Sequence, residues 1–288
     1  LKNDSFEGKT VAVSGSGNVA IYTIEKLYQL GAKPVTASDS RGCIYHPAGI
    51  NLDVLKQVKE VERASLTRYA ELCKDAKYIP AKEYPKDQHP VWNVPCKLAF
   101  PSATQNELSG TDAANLIKNG CVLVCEGANM PSTPEAVEAF LQAGLAFGPG
   151  KCANAGGVST SQLEMAQNAS MQSWTFEEVD AKLKNIMANI FKAAHDTAKQ
   201  DLEREINQME AELEQLERQT DPAHTEDGTQ RGEIKSMAMT TRKKFFGLDA
   251  QQRDAFLARA EVKEWLQRTR EMMGEKRSVT GAELLIPE

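Results

Sequence analysis

Apolar positions in the first part of the chain follow two alternating patterns. Short, mostly uncharged runs predict buried strands of a parallel sheet at Thr10–Ser14, Pro34–Ser38, Lys97–Phe100, Cys121–Cys125 and Gly144–Phe147. Segments with helical spacing or composition predict helices between them at Ile21–Leu30, Leu52–Ala70, Ala113–Ile117 and Pro134–Ala143. This alternation predicts an α/β fold of Rossmann type with a doubly wound parallel sheet.

The joint between the first strand and the first helix reads GSGNVA, from Gly15 to Ala20. In such a joint Gly15 permits a tight turn, Gly17 lets the backbone approach a pyrophosphate, and the small Ala20 lets the helix pack on its strand. About twenty residues later the second apolar run ends in Asp39, where a ribose-binding acid belongs. A structural glycine turn is the alternative, but the flanking pattern favours a dinucleotide site.

Three polar segments of small residues fall at the carboxyl ends of predicted strands. They are Ser102–Glu107, Glu126–Asn129 and Asn154–Ser161. Ordinary loops are also rich in Asn and Gly, so each segment alone carries little information. Because ligands of doubly wound sheets bind beyond the carboxyl ends of the strands, the three together indicate the rim of a ligand site.

Composition narrows the class of protein. The 288 residues carry a formal net charge of −6, which gives no sign of a nucleic-acid surface. No apolar run reaches the roughly 18 residues that a membrane helix needs. All six cysteines precede residue 153, and their spacing suggests buried, reduced thiols rather than a zinc site. We expect a cytoplasmic protein without a metal centre. Because the sequence begins with Leu1, we expect it to be a piece of a longer protein.

Charged residues become markedly more frequent after about residue 200, which predicts a domain boundary. We expect a dinucleotide-binding domain at 1–199 and a largely helical extension at 200–288, with a linker near 220–235. No Gly or Pro interrupts the chain from Glu177 to Asp221, so one helix of roughly 40 residues should cross the boundary. An apolar seam typical of a coiled coil is formed by Leu202, Ile206, Met209, Leu213 and Leu216. Self-association through this 202–216 segment is one interpretation, and a solvated single helix is the other.

Several motifs resemble the coenzyme domain of the hexameric glutamate dehydrogenases. They are FEGKTVAVSGSGNVA, SDSRG, FPSATQNEL, CEGANMPST and, at Lys151–Asn168, KCANAGGVSTSQLEMAQN. The resemblance covers residues 1 to about 199. It implies hydride transfer between glutamate and a nicotinamide cofactor, with 2-oxoglutarate and ammonia as products.

The resemblance also assigns site residues position by position. The pyrophosphate would be held by Ser14, Gly15, Gly17, Asn18 and Val19. The adenosine ribose would meet Asp39 and Ser40. The cofactor path and the nicotinamide end would be lined by Ala103, Thr104, Gln105, Asn129 and Asn154. Substrate would contact Val158 and Ser161.

The choice of cofactor depends on the residues around Asp39. This acid alone would accept the 2′-hydroxyl of NAD and repel a 2′-phosphate, whereas Ser38, Ser40 and Arg41 offer hydrogen bonds and a positive charge. Arg63 could add another charge. The SDSxG form is similar to NADP-preferring members of the family, so we expect NADP, with NAD as the alternative.

The resemblance further implies that no catalytic residue is present here, because the family's catalytic lysine and aspartate lie in a domain that precedes residue 1. We therefore expect this chain to be inactive alone. Residues 201–288 resemble the N-terminal helical scaffold region of tailed-phage major capsid proteins, on the strength of FFGLDAQQRDAFLARAEVKEWLQRTRE and KRSVTGAELLIPE. A structural or assembly role through that segment is the alternative function.

Overall fold

The computed structural model describes residues 5–219. The predicted linker near 220–235 and residues 220–288 of the capsid-like segment lie outside the described residues. The chain divides into two compact units, one of which contains residues 5–140 and 145–192 and holds both sheets and every predicted site residue. The other includes residues 141–144 and the described chain from 193 onward.

Within residues 5–219, eight strands form two sheets. The strands are β1 (Thr10–Val13), β2 (Lys33–Pro34), β3 (Thr36–Asp39), β4 (Gly42–Tyr45), β5 (Lys77–Pro80), β6 (Leu98–Phe100), β7 (Leu123–Cys125) and β8 (Ala146–Gly148). One sheet is parallel, in the order β2-β1-β6-β7-β8, with Val11 opposite Leu98 and Leu98 opposite Leu123. The other is antiparallel, in the order β3-β4-β5.

Helices and helical turns connect the strands. The α-helices are α1 (Asn18–Gln29), α2 (Leu52–Lys56), α3 (Leu66–Leu72), α4 (Gly110–Lys118), α5 (Pro134–Gln142), α6 (Gly150–Ala153), α7 (Gly156–Ser170) and α8 (Phe176–Gln219). A π-helical turn, Gln57–Val61, continues α2, and two 3₁₀ turns lie at Ala81–Glu83 and Pro90–Asn93.

Two apolar cores cover opposite faces of the parallel sheet. Side chains alternate along a strand, and accordingly Val11 and Val13 pack with the buried face of α1 while Ala12 belongs to the other core. That second core includes Leu116 of α4 and Phe140 of α5. Helical layers on both faces are what a doubly wound sheet requires, so this part of the predicted fold is confirmed.

The antiparallel sheet was not predicted. The run Pro34–Ser38 was interpreted as one strand of the parallel sheet, but its Thr36–Ser38 part belongs to β3, which pairs with β4. The reason is local: the Asp39 carboxylate accepts hydrogen bonds from the N–H groups of Arg41 (2.9 Å) and Gly42 (3.2 Å). An aspartate that bonds the backbone two residues on favours a turn, so the chain reverses here instead of entering a crossover.

The helix predicted over Leu52–Ala70 is also wrong as a single element. It is broken between the π-helical turn and α3, where Arg63 has a φ of 51°. A new helix can start at Leu66 because the Asp39 carboxylate accepts its N–H at 2.9 Å. The segment Asn154–Ser161, interpreted as a loop at a strand end, instead contains the first six residues of α7.

The long helix predicted across residue 200 is confirmed, since α8 runs without a break from Phe176 to Gln219. The side chains of its apolar seam at 202–216 lie outside those that the structure describes. The coiled coil and self-association therefore stay predictions. Among the helices of residues 5–219, none is long and apolar enough to cross a bilayer.

Candidate functional site

The strand order defines where a ligand site should lie. From β1 the chain moves outward to β2, and it later returns to the other side of β1 to form β6. The order reverses between these two strands, and the loops that follow them diverge at the carboxyl edge of the sheet. A crevice at such a reversal is the usual binding site of open α/β sheets.

The loop after β1 is shaped by two glycines with different surroundings. Gly15 has a φ of +84°, and a Cβ atom there would lie 2.8 Å from the carbonyl oxygen of Ser102. Gly17, which precedes the first residue of α1, has an ordinary φ of −85° and open space where a Cβ would be. Gly15 is therefore required by the fold, whereas Gly17 leaves room at a helix N-terminus, where unpaired N–H groups attract phosphate.

Other predicted phosphate-binding residues are in place around this loop. Asn18 and Val19 form the exposed start of α1, with Val19 49% exposed. Ser14 is fully buried, and its hydroxyl accepts a hydrogen bond from the N–H of Ser102 at 2.8 Å. Ser14 thus joins the loop after β1 to the loop after β6, rather than presenting its side chain to solvent.

The loop after β6 exposes the predicted cofactor-path residues Ala103, Thr104 and Gln105. Its shape depends on Glu107, whose Oε1 accepts the N–H groups of Ala103 (2.9 Å) and Thr104 (3.3 Å). Burial raises the pKa of the Glu107 carboxyl, while these donors and the Ser14 hydroxyl lower it.

Asp39 occupies the end of β3 as predicted, but its carboxylate is already occupied by the protein. It accepts the N–H groups of Arg41, Gly42 and Leu66, and its Oδ2 also lies 3.5 Å from Nζ of Lys59. The next residues, Ser40 and Arg41, are exposed. Among the side chains that the structure describes, no carboxylate pairs with the guanidinium of Arg41. This corner therefore presents cationic and hydroxyl groups, while the Asp39 carboxylate is bonded to backbone N–H groups and lies beside Lys59.

The loops after β7 and β8 meet at Glu126 and Asn154. The buried Glu126 carboxylate accepts the N–H groups of Gly150 (2.7 Å) and Ser132 (3.3 Å). The Asn154 side-chain amide donates to Oδ1 of Asn129 (2.7 Å) and to the carbonyl of Ala128 (3.1 Å). The two predicted nicotinamide-end residues, Asn129 and Asn154, are therefore in direct contact.

The predicted substrate residues lie farther along α7. Val158 is 62% exposed and Ser161 is exposed, and a spacing of three places them on one helix face. Neither side chain takes part in the hydrogen bonds that join the loops in the described part of the chain. No group of three metal-ligating side chains is present within residues 5–219.

The roles of three residues that shape the site differ from what the sequence predicts. Glu107 and Glu126 were missed, and Ser38, which the sequence predicts to offer a hydrogen bond to a coenzyme phosphate, is bonded within the protein instead. Ser38 is buried, and its hydroxyl accepts the N–H of Gly15 at 2.7 Å. Ser38 and Glu126 lie at the end of an apolar run or directly after one, where a buried side chain must find a partner, whereas Glu107 lies in a polar segment that gives no such signal. That position was the available signal, although it does not reveal which backbone group each side chain bonds.

Comparison with known proteins agrees with this geometry. The profile of the Glutamate/Leucine/Phenylalanine/Valine dehydrogenase family matches residues 1–222. An NADP-specific glutamate dehydrogenase of Helicobacter pylori is 61% identical over 199 residues, which are 69% of this chain and 44% of that protein. An NAD(P)-specific glutamate dehydrogenase of Xylanibacter ruminicola is 52% identical over 66% of this chain and 41% of its own length.

The crystal structure of Plasmodium falciparum glutamate dehydrogenase superposes with a TM-score of 0.61 at 48% identity, covering 66% of this chain and 40% of that one. This chain thus spans less than half the length of the relatives that it matches. The capsid resemblance of residues 201–288 stays a prediction. The chain belongs to the Glutamate/Leucine/Phenylalanine/Valine dehydrogenase family.

Proposed function

We propose that residues 1–199 are the coenzyme-binding domain of an NADP-preferring glutamate dehydrogenase, with residues 200–288 as a separate helical extension. The observation that carries this proposal is the glycine joint after β1, where the strand order reverses between β2 and β6 and open space lies at Gly17 beside the N-terminus of α1. The names of the relatives add the coenzyme and substrate class.

The loop after β1 would hold the pyrophosphate. Backbone N–H groups from Ser16 to Val19 lie at or before the first turn of α1, where the helix dipole favours an anion, whereas the N–H of Gly15 is already bonded to the Ser38 hydroxyl. Gly17 admits the phosphates because it has no side chain in that space. Ser14 would act from inside the fold, because its hydroxyl holds the two loops together instead of facing the ligand.

A preference for NADP follows from the inward position of the Asp39 carboxylate. A free acid at this point would bind the 2′-hydroxyl of NAD and repel a 2′-phosphate. Here backbone N–H groups and Lys59 satisfy that carboxylate, while Ser40 and Arg41 remain exposed. Hydroxyl and guanidinium groups are suitable donors to a phosphate.

The other loops would serve the nicotinamide and the substrate. Ala103, Thr104 and Gln105 would line the cofactor path, and the bonded pair Asn129 and Asn154 would orient the nicotinamide end. The exposed Val158 and Ser161 would contact glutamate or 2-oxoglutarate. These residues would hold the nicotinamide and the substrate close together, so that a hydride could pass between the nicotinamide and the substrate carbon; such positioning lowers the barrier.

The same assignment leaves this chain without the lysine and aspartate that its family uses for the chemistry. We propose that pure protein of this sequence binds coenzyme but does not oxidise NADPH in the presence of 2-oxoglutarate and ammonia. Measurable oxidation above a protein-free control would contradict this part of the proposal.

Coenzyme binding is the direct test. NADPH and NADH should be titrated into the chain while nicotinamide fluorescence is followed, and we expect saturation with a lower Kd for NADPH. Gly17→Val should abolish the signal without unfolding the protein, because the added side chain fills the open space for phosphate. Gly157→Val, also in open space but on α7, is a matched control that should bind coenzyme normally. A folded protein that saturates with neither coenzyme would refute the proposal.

A further inference from the structure

One buried carboxylate joins the loops that follow β7 and β8. Glu126 comes directly after β7 and is 6% exposed. Its Oε1 accepts the N–H of Ser132, in the same loop, at 3.3 Å. Its Oε2 accepts the N–H of Gly150, which follows β8, at 2.7 Å. The two oxygens of this carboxylate therefore hold the backbone of both loops.

The bond to Gly150 extends to Asn154 through the short helix α6. Gly150 is the first residue of α6, where an N–H has no partner inside the helix, and Glu126 supplies that partner from the end of β7. The N–H of Asn154 donates to the Gly150 carbonyl at 2.9 Å across the same turn. A shift of Gly150 would therefore move Asn154, one of the two proposed nicotinamide-end residues.

The Asn154 side chain completes a closed set of hydrogen bonds with the loop after β7. Its amide nitrogen donates to the Ala128 carbonyl at 3.1 Å and to Oδ1 of Asn129 at 2.7 Å. A Cβ atom at Gly150 would lie 3.1 Å from the same Ala128 oxygen and 3.2 Å from Oε2 of Glu126, which is closer than side chains normally pack. The loop after β7, the carboxylate and α6 thus form one tightly connected unit.

This unit requires a carboxylate and not merely a polar side chain. Both oxygens of a carboxylate accept hydrogen bonds, whereas a glutamine amide offers one acceptor and one donor. In Glu126→Gln the amide NH₂ group would face the N–H of either Ser132 or Gly150, and that bond would be lost. Because Glu126 is buried, water cannot readily replace the lost acceptor.

We propose that Glu126 is a positioning residue for the nicotinamide half of the coenzyme: its two carboxylate oxygens fix the loops after β7 and β8 so that Asn154, bonded to Asn129, is held where the nicotinamide is received. This inference rests on the proposed function. It confines the role of Glu126 to one half of the coenzyme, because the proposed adenosine corner at the end of β3 is held by other bonds.

The test separates the two halves of the coenzyme. Calorimetry measures the Kd of NADPH and of adenosine 2′,5′-bisphosphate, which contains the adenosine half and lacks the nicotinamide. In Glu126→Gln we expect NADPH to bind about tenfold more weakly, as the loss of one buried hydrogen bond predicts, and the bisphosphate to bind as it does to the wild type. Equal weakening of both ligands would show a purely structural role and overturn the inference, and so would unchanged NADPH binding.

The matched control is Glu177→Gln, the same substitution at an exposed position in the first turn of α8. It should bind both ligands as the wild type does. Weakened NADPH binding in this variant too would show that loss of one negative charge anywhere on the chain suffices, and would overturn the inference.

A double variant tests whether Glu126 acts through Asn154. Asn154→Ala removes the amide that bonds the loop after β7. Combined with Glu126→Gln, it should weaken NADPH binding by less than the product of the two single fold-changes, because both substitutions break the same connection. Independent effects that multiply in full would overturn the inference.

Gly150→Ala tests the same connection with Glu126 intact. Its added Cβ would press on the Ala128 carbonyl and separate the loops, so NADPH should bind more weakly and the bisphosphate normally. This variant decides the question if circular dichroism shows that Glu126→Gln does not fold. A negative result in these variants leaves the proposed function intact, whereas a folded wild type that binds neither NADPH nor the bisphosphate would overturn both.

Discussion

In the parallel sheet, β1 is held to β2 and β6 by backbone ladders, whereas β3 of the antiparallel sheet reaches β1 mainly through hydroxyl groups. The Thr36 hydroxyl accepts the N–H of Val13 at 2.8 Å and donates to its carbonyl at 2.9 Å. The Ser38 hydroxyl accepts the N–H of Gly15 at 2.7 Å. The backbone N–H of Ser38 also donates to the Gly15 carbonyl at 3.0 Å, so two side chains and one backbone bond take the place of a full strand pairing.

This difference has a functional consequence. A backbone ladder can form with almost any sequence, but attachment through hydroxyls fixes β3 only where Thr or Ser is present. Because Ser38 bonds Gly15 and Asp39 follows directly, the same short strand orients both the proposed pyrophosphate loop and the proposed adenosine corner. The antiparallel sheet therefore acts on the site through two polar side chains, whereas the parallel sheet supplies the loops themselves.

The largest effect should come from Gly15, where the sheets and the loop after β6 meet. In Gly15→Ala the new Cβ would lie 2.8 Å from the Ser102 carbonyl oxygen, at a φ of +84° that strains any side chain. We expect a loss of about 3 kcal/mol in the free energy of unfolding, with loss of coenzyme binding. Urea denaturation measures it. Gly17→Ala is the matched control, and equal destabilisation of the two variants would contradict this account.

Thr36→Val should have the next largest effect, because it keeps the volume but removes both hydrogen bonds to Val13. The buried N–H and C=O would lose their partner, which costs about 2 kcal/mol. Hydrogen exchange should quicken in β3, β4 and β5 more than in β6, β7 and β8. Thr36→Ser, which retains the hydroxyl, should preserve the exchange pattern. A uniform increase across both sheets would show that the hydroxyl attachment is not specific to the antiparallel sheet.

The same contrast explains how far the sequence predicts the fold. Buried parallel strands have continuous apolar runs, so Thr10–Ser14 and Lys97–Phe100 could be assigned from composition alone. The run Gly42–Tyr45 of β4 is short and mostly buried but was not assigned as a strand, and Lys77–Pro80 of β5 is only partly buried. Their pairing depends on the bonds that Asp39 makes to residues 41, 42 and 66, and spacing does not encode those contacts.

The candidate site, like the fold, could be predicted from the sequence only in part. The glycine joint and the loops at Ser102–Glu107 and Glu126–Asn129 could be predicted from the sequence because backbone requirements dictate Gly and small polar residues there, whereas Asn154–Ser161 belongs largely to α7. The roles of Ser38, Glu107 and Glu126 could not be predicted, because each acts by bonding backbone N–H groups that are distant in space or in sequence. Such partners become visible only when the loops are assembled.

The smallest effect concerns His89, in the segment between the antiparallel sheet and β6. Burial lowers the pKa of His89 from 6.5 to about 4, and its Nδ1 accepts the N–H of Val91 at 3.3 Å, which requires an unprotonated nitrogen. The unfolded chain takes up a proton below about pH 6.5 while the folded chain does not, so stability should fall from there to about pH 4. Because the ring is partly exposed, we expect a loss of about 1.5 kcal/mol. His89→Asn keeps an acceptor for Val91 but does not titrate, so thermal melting should show a flatter pH profile for the variant. Parallel profiles for the two proteins would show that the loss of stability in acid comes from other groups and not from His89.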